Sequence, residues 1–116
     1  MYDDFEENFI IPQSLGAMAK TFYVKAAKPV AGQENLHLKP GSTVTGVKVI
    51  ASGEEIREVE RLIRDYPLPN GEKTKSKDWY KVRGTAVVTD GVTESVEEVH
   101  WYQCKDIGKV EYKQKF

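Results

Sequence analysis

The C-terminal third of the chain constrains the fold most, because it predicts three consecutive antiparallel strands. The runs "DWYKVRGTAVVT" and "VTESVEEVHWYQ" are rich in β-branched and aromatic residues, and Asp90-Gly91 joins them. Asp-Gly between two such runs is a strong hairpin signal, since both central positions of a type I′ turn need positive φ. A second turn, "CKDIG", leads into "KVEYKQKF". We therefore predict a three-stranded meander over about residues 79–116.

A helix is predicted before this meander, in "SGEEIREVERLIRDYPLP". Ser52 and Glu55 have the spacing of a capping box, which satisfies two free amide groups at a helix start. Apolar residues follow at helical spacing, the other face is charged, and two prolines end the pattern. We predict a helix over about residues 53–66. Its apolar stripe comprises Ile56, Val59, Leu62 or Ile63, and Tyr66.

The remaining segments complete an α+β architecture, in which one main helix packs on an antiparallel sheet. "STVTGVKVIA" predicts a further strand over about residues 43–50, and "KTFYVKA" has a composition suited to another. Residues 1–18 are expected to be an acidic N-terminal arm and lead-in, and residues 19–116 a single domain. No internal repeat is visible.

Composition narrows the class of protein. Of the 116 residues, 40% are hydrophobic and 30% are charged, which is typical of a soluble globular domain. No apolar run approaches the ~20 residues of a membrane helix. The N-terminus, "MYDDFEENF", is acidic where a secretory signal is basic and then apolar. We therefore expect a cytoplasmic protein that has no contact with a membrane.

The sequence predicts neither a metal site nor a cofactor. Cys104 is the only cysteine, and His37 and His100 are the only histidines, which is too few for a zinc cluster. No glycine-rich phosphate loop of the form G-x-x-x-x-G-K is present. Any chemistry would then depend on side chains alone.

Alternation along the middle strand of the meander divides its side chains between two faces. Val99 and Trp101 are predicted to form the core under the helix, which leaves His100 on the opposite face. The neighbouring strands would add cations to that face. Its candidate members are Glu98, His100, Tyr102, Lys109, Glu111, Lys113, Lys81 and Arg83. A slip of one residue in the pairing would reverse each face.

Such a face suits cleavage of an RNA phosphodiester. The reaction needs a base for the ribose 2′-hydroxyl proton, an acid for the leaving oxygen, and cations for the charge that grows on the phosphorane. Histidine exchanges protons near neutral pH, and lysine or arginine stabilises the charge. The alternative is structural: a lone histidine on a half-exposed strand is more often structural than catalytic, and a run of lysines is usually a solvated edge.

The order of three segments resembles a C-terminal toxin domain of bacterial polymorphic toxins and of some phage head-associated proteins. These segments are "VTGVKVIASGEEIREVERLIRDY", "DWYKVRGTAVV" and "EEVHWYQCKDIGKVEYKQK", and the resemblance covers about residues 43–115. Such domains are similar to the barnase–EndoU–colicin–RelE class of metal-independent ribonucleases. The turn "ASGEE" departs from the pattern, which has a longer Gly- and Lys-rich turn there and a basic residue before the helix.

The resemblance implies an RNA substrate, and an immunity protein would be the expected partner. Together with the strand faces, it gives a candidate catalytic set of His100, Glu98 and Lys113. The candidate substrate-binding residues are Lys109, Glu111, Arg57, Tyr102, Lys81 and Arg83. The alternative function is a non-catalytic phage- or toxin-associated module that binds protein or single-stranded nucleic acid.

Overall fold

The computed structural model describes residues 21–115, and it confirms the predicted α+β architecture. The acidic arm predicted for residues 1–18 lies outside the described residues. Within residues 21–115, one α-helix, α1 (Val59–Asp65), accompanies seven strands. The strands are β1 (Phe22–Tyr23), β2 (Lys28–Pro29), β3 (His37–Leu38), β4 (Thr43–Ser52), β5 (Trp79–Thr89), β6 (Glu94–Cys104) and β7 (Gly108–Gln114). No helix within residues 21–115 has the length and apolar character needed to cross a membrane.

The strands form one curled antiparallel sheet around β5. On one edge β5 pairs along its whole length with β6, which in turn pairs with β7, so the predicted meander is present. On the other edge β5 pairs first with β4 and then with β3. The curl brings the segment after β2 back to β7, where the Ala31 amide donates to the Tyr112 carbonyl at 2.8 Å.

The hairpin between β5 and β6 differs in detail from the predicted type I′ turn. Thr89 pairs with Glu94, so the loop comprises residues 90–93, and Gly91 is its one residue with positive φ. The Asp90 carboxylate instead accepts hydrogen bonds from the amides of Val92 and Thr93, each at 2.8 Å. A side-chain cap of this kind orders a turn without a second left-handed residue.

The sheet carries a hydrophobic core on each face. Inside the curl, the Trp101 ring packs against Phe22 and Tyr112, with ring centroids 5.4 and 5.5 Å apart. On the other face, α1 covers Trp79 and Cys104. The prediction that Val99 and Trp101 lie under the helix is therefore wrong. Because side chains alternate along β6, the helix covers the same face of the strand as His100.

The helical segment predicted over residues 53–66 is interrupted. A single 3₁₀ turn covers Gly53–Glu55, and the Ser52 amide donates to the Glu55 carboxylate at 3.1 Å, as a capping box requires. Ile56 then adopts an extended backbone, and its side chain is buried in the core beneath α1. The α-helix begins only at Val59. Consequently Arg57 precedes the helix instead of belonging to it.

A β-bulge in β7 decides which of its side chains reach the His100 face. His100 pairs with Lys113 but Tyr102 pairs with Val110, so β7 contains one extra residue between these pairs. Glu111 lies in the bulge, with φ of 60°. Glu111 and Lys113 therefore project to the helix side of the sheet. Lys109 is moved to the opposite face, where its Nζ lies 4.4 Å from the centre of the Phe22 ring.

Candidate functional site

His100 lines a pocket of about 390 Å³ on the helix side of the sheet. Strands β5, β6 and β7 form its floor, and the segment after β2 provides one wall at Ala31 and Gly32. The charged and ring side chains that line it are Glu58, Lys81, His100, Tyr102, Glu111, Lys113 and Lys115. The sheet thus brings the histidine together with three lysines in a space large enough for a small ligand.

Glu98 holds the His100 ring. Its Oε2 lies 2.7 Å from His100 Nε2 and also accepts a hydrogen bond from Arg83 Nε at 3.1 Å. Both hydrogen bonds lower the pKa of the Glu98 carboxyl below its usual value, and the bond to His100 has the larger effect. An ionised carboxylate can only accept, so His100 Nε2 must carry the proton of this bond. In the neutral ring, Nδ1 is then the atom that can take up a proton.

Arg61 donates hydrogen bonds to both carboxylates that line the pocket. Its guanidinium donates to the two oxygens of Glu111 at 2.7 and 3.0 Å, and through Nε to Glu58 at 3.0 Å. The Tyr66 hydroxyl adds a third hydrogen bond to Glu111 at 2.8 Å. The bond from Arg61 is the main cause of a lowered pKa at Glu111. The two acids therefore repel an anion in the pocket less than free carboxylates would.

The three lysines of the pocket contact no acidic side chain among the residues that the structure describes. Within residues 21–115, the ammonium groups of Lys81, Lys113 and Lys115 form no ion pair. Lys113 and Lys115 are exposed, and Lys81 is half-buried. Among the described residues, the three lysines of the lining outnumber its two carboxylates, both of which Arg61 contacts, and this balance of charge favours an anionic ligand.

Tyr102 adds a protonated hydroxyl to the pocket. Its Cα lies opposite that of Lys81, two residue pairs along β5 and β6 from Arg83 and His100. Partial burial is the main cause of a pKa raised above the usual value for tyrosine. The hydroxyl therefore stays protonated at neutral pH, as a hydrogen-bond donor.

Most of the residues proposed from the sequence lie at or beside this pocket, but two lie elsewhere. The bulge in β7 turns Lys109 to the opposite face of the sheet. Arg57 is exposed ahead of α1 and does not line the pocket, because the helix begins two residues later. The residues brought together are Glu98, His100, Lys113, Glu111, Tyr102, Lys81 and Arg83.

Sequence reasoning missed Arg61, which belongs to the charged face of the predicted helix. Its spacing to Glu58 and Asp65, three residues before and four after, was the available signal, since such residues share one helix face. Both acids do contact Arg61. The bond to Glu111 could not be inferred, because it joins residues far apart in the chain and depends on the bulge.

Among residues 21–115, no three His, Cys, Asp or Glu side chains are grouped so that they could hold a metal ion. Comparison of the chain with protein-family models, with curated proteins and with solved structures gives no significant match.

Proposed function

We propose that this chain is a metal-independent endoribonuclease of the toxin type, with His100 as its general base. The observation that carries the proposal is the orientation of His100 by Glu98 in a pocket whose lysines have no acidic partner within residues 21–115. A general base needs a fixed ring with a free nitrogen, and a phosphodiester needs nearby positive charge.

In the proposed reaction, His100 Nδ1 removes the proton from a ribose 2′-hydroxyl, and the 2′-oxygen attacks the adjacent phosphorus. The bond from phosphorus to the 5′-oxygen breaks, and that oxygen takes a proton from Lys113, which lies opposite His100 on β7. Solvent then restores the proton to Lys113 and accepts the one on His100. The products are a 2′,3′-cyclic phosphate and a 5′-hydroxyl end.

The other pocket residues have binding and positioning roles in this proposal. Lys81 and Lys115 bind the phosphate and offset its growing charge, and the Tyr102 hydroxyl donates a hydrogen bond to it. Glu98 does not touch the substrate, so it is a positioning residue: it fixes the ring tautomer and stabilises the imidazolium that forms. Arg83 holds Glu98 in place.

The same proposal implies that an inhibitory protein binds this chain. A cell that produces an RNA-cleaving domain needs an inhibitor, and an immunity protein would bind where the lysines of the pocket have no acidic partner among residues 21–115. Charge complementarity favours an acidic surface on that protein.

A second candidate, a binding module without catalysis, is favoured by one observation. Only 17% of the His100 side chain is exposed, and Glu98 already occupies one of its nitrogens. A structural histidine has the same environment. In that case the lysines would bind RNA, and no bond would be cleaved.

The chemistry of the products separates the two candidates. Wild-type protein is incubated in EDTA with a synthetic single-stranded RNA and with the same RNA bearing 2′-O-methyl groups. We expect mass spectrometry to find 2′,3′-cyclic phosphate and 5′-hydroxyl ends from the first RNA and no cleavage of the second. Cleavage of the 2′-O-methyl strand would contradict the mechanism, and cleavage of neither strand would favour the binding module.

A further inference from the structure

Four basic side chains form a row across the sheet, one from each of four adjacent strands. Lys48 in β4 pairs with Arg83 in β5, Arg83 pairs with His100 in β6, and His100 pairs with Lys113 in β7. Directly paired residues of antiparallel strands project to the same face of a sheet. The row therefore begins in the His100 pocket and continues out of it, past Arg83 to Lys48, which does not line the pocket.

The ends of the row are available to a ligand. Lys48 and Lys113 are exposed, and neither forms an ion pair with any residue between 21 and 115. Glu98, the acid that contacts the row, is already bonded to Arg83 and His100. Beside the row, further along β4 and β5, Thr45 pairs directly with Thr85, and their hydroxyl groups can donate hydrogen bonds without adding charge.

The length of the row suits a short piece of polynucleotide. Adjacent strands lie about 4.8 Å apart, so four strands span roughly 14 Å. A nucleic-acid strand carries one charge about every 3.4 Å when stacked, and less often when extended. The row can therefore contact a few successive phosphates of a chain that crosses the strands.

Pocket size distinguishes a single strand from a duplex. The reacting 2′-hydroxyl must reach His100 Nδ1 inside a pocket of about 390 Å³, walled by the segment at Ala31 and Gly32. This volume is near the lower end of the range for pockets that bind small ligands. It can hold one nucleotide but not a stacked, base-paired helix.

We propose that single-stranded RNA crosses the sheet perpendicular to the strands, from Lys113 over His100 and Arg83 to Lys48. Lys48 is then a remote substrate-binding residue that contacts a phosphate next to the reacting nucleotide. The identity of the ligand as RNA rests on the proposed function, whereas its path rests on the row. Lysine contacts to phosphates predict binding that is independent of base sequence and sensitive to salt.

The test measures binding without cleavage. Fluorescence anisotropy follows a labelled 2′-O-methyl single strand as it binds wild type, Lys48→Ala and, as a matched control, Lys73→Ala, whose lysine is exposed in the loop before β5. We expect Lys48→Ala to weaken binding about three- to tenfold at low salt and to reduce the slope of log K against log salt by about 0.7. Lys73→Ala should match wild type, and urea midpoints should show that both variants are folded.

Other outcomes would overturn the path. Equal binding by Lys48→Ala and wild type would remove Lys48 from the site. A duplex of the same sequence that binds as tightly as the single strand would overturn the choice of ligand, as would polyglutamate that competes equally well. Binding that depends on Lys48, combined with no cleavage of RNA by wild type, would leave the path standing and refute the ribonuclease proposal.

Discussion

Arg61 and Glu111, fifty residues apart, form a two-fold ion pair that ties α1 to the bulge of β7, with N–O distances of 2.7 and 3.0 Å. Glu111 holds this position with a φ of 60°, in the left-handed region that residues with a Cβ rarely adopt. Such backbone strain persists where surrounding contacts over-determine it. Arg61 and Tyr66 supply those contacts, and in doing so they set the shape of the pocket around His100.

The strain at Glu111 predicts an unusual order of stability among its variants. Glu111→Ala loses the ion pair and retains the unfavourable φ, whereas Glu111→Gly loses the ion pair but relieves the strain. We expect the glycine variant to be about 1 kcal/mol more stable to unfolding than the alanine variant, opposite to the usual preference within a strand. Urea unfolding measures both. If the alanine variant is as stable as the glycine variant or more stable, the backbone at residue 111 is not strained.

The ion pair also predicts a dependence of stability on pH. Hydrogen bonds from Arg61, and then from Tyr66, hold the pKa of Glu111 below its usual 4.5 in the folded protein. The ionised carboxylate therefore stabilises the fold above that value, and the stabilisation is lost as the pH falls through the lower folded pKa. At neutral pH we expect the free energy of unfolding of wild type to exceed that of Glu111→Gln by about 1 kcal/mol, which is the upper range for partly exposed ion pairs.

This comparison isolates one carboxyl, because glutamine retains the shape of the side chain and the same backbone strain. Urea unfolding at a series of pH values would show the difference between the two proteins shrinking below pH 4.5. A difference that stays constant into strong acid would mean that the ionisation of Glu111 does not contribute to stability.

Gly84 is predicted to tolerate no side chain. A Cβ there would lie 2.8 Å from Val44 Cγ1 and 3.1 Å from Trp101 Cη2, so the inner core would have to shift. We expect Gly84→Ala to lower the free energy of unfolding by about 1–3 kcal/mol. Thr85→Ala, one residue further on the other face, should change it by less than about 0.5 kcal/mol. Thermal unfolding measures the stability of both variants, and equal midpoints would mean that the core around Gly84 has room for an added methyl group.

Cys104 is predicted to be inert in the folded protein. It is fully buried beneath α1, and burial is the main cause of a pKa raised to about 12 for its thiol. Only the thiolate reacts, so a disulfide reagent such as DTNB should label the cysteine no faster than the protein unfolds. Rapid labelling of native protein would show that α1 opens readily from the sheet.

Features of the fold that depend on neighbouring residues in the chain were predictable from the sequence. The Asp90-Gly91 signal and the alternation on either side located the β5–β6 hairpin, and the breakers after Tyr66 located the end of the helix. Even there, the loop conformation differed, because the Asp90 side chain replaced one of the expected left-handed residues.

Features that depend on distant contacts were not predictable. No glycine or asparagine marks the bulge at Glu111, since Arg61 and Tyr66 stabilise it from another element. Without the bulge, Lys109 would share a face with Lys113, as strict alternation predicts. Likewise, the interruption at Ile56 arises from its burial under α1, and it removes Arg57 from the helix. Of the residues proposed from the sequence, Lys109 therefore lies on the opposite face of the sheet and Arg57 lies ahead of the helix.

We propose that His100 is the general base of an RNA-cleaving pocket, and this role is tested by the initial rate at which the protein cleaves a fluorescent single-stranded RNA in EDTA. His37→Ala is the matched control, because His37 pairs with Thr89, roughly 20 Å along β5 from Arg83. We expect His37→Ala to retain the wild-type rate of cleavage, and we expect the rate of His100→Ala to be lower by about 10²- to 10⁴-fold. Equal rates for His100→Ala and wild type, or no cleavage by wild type, would show that His100 is not a general base for RNA cleavage.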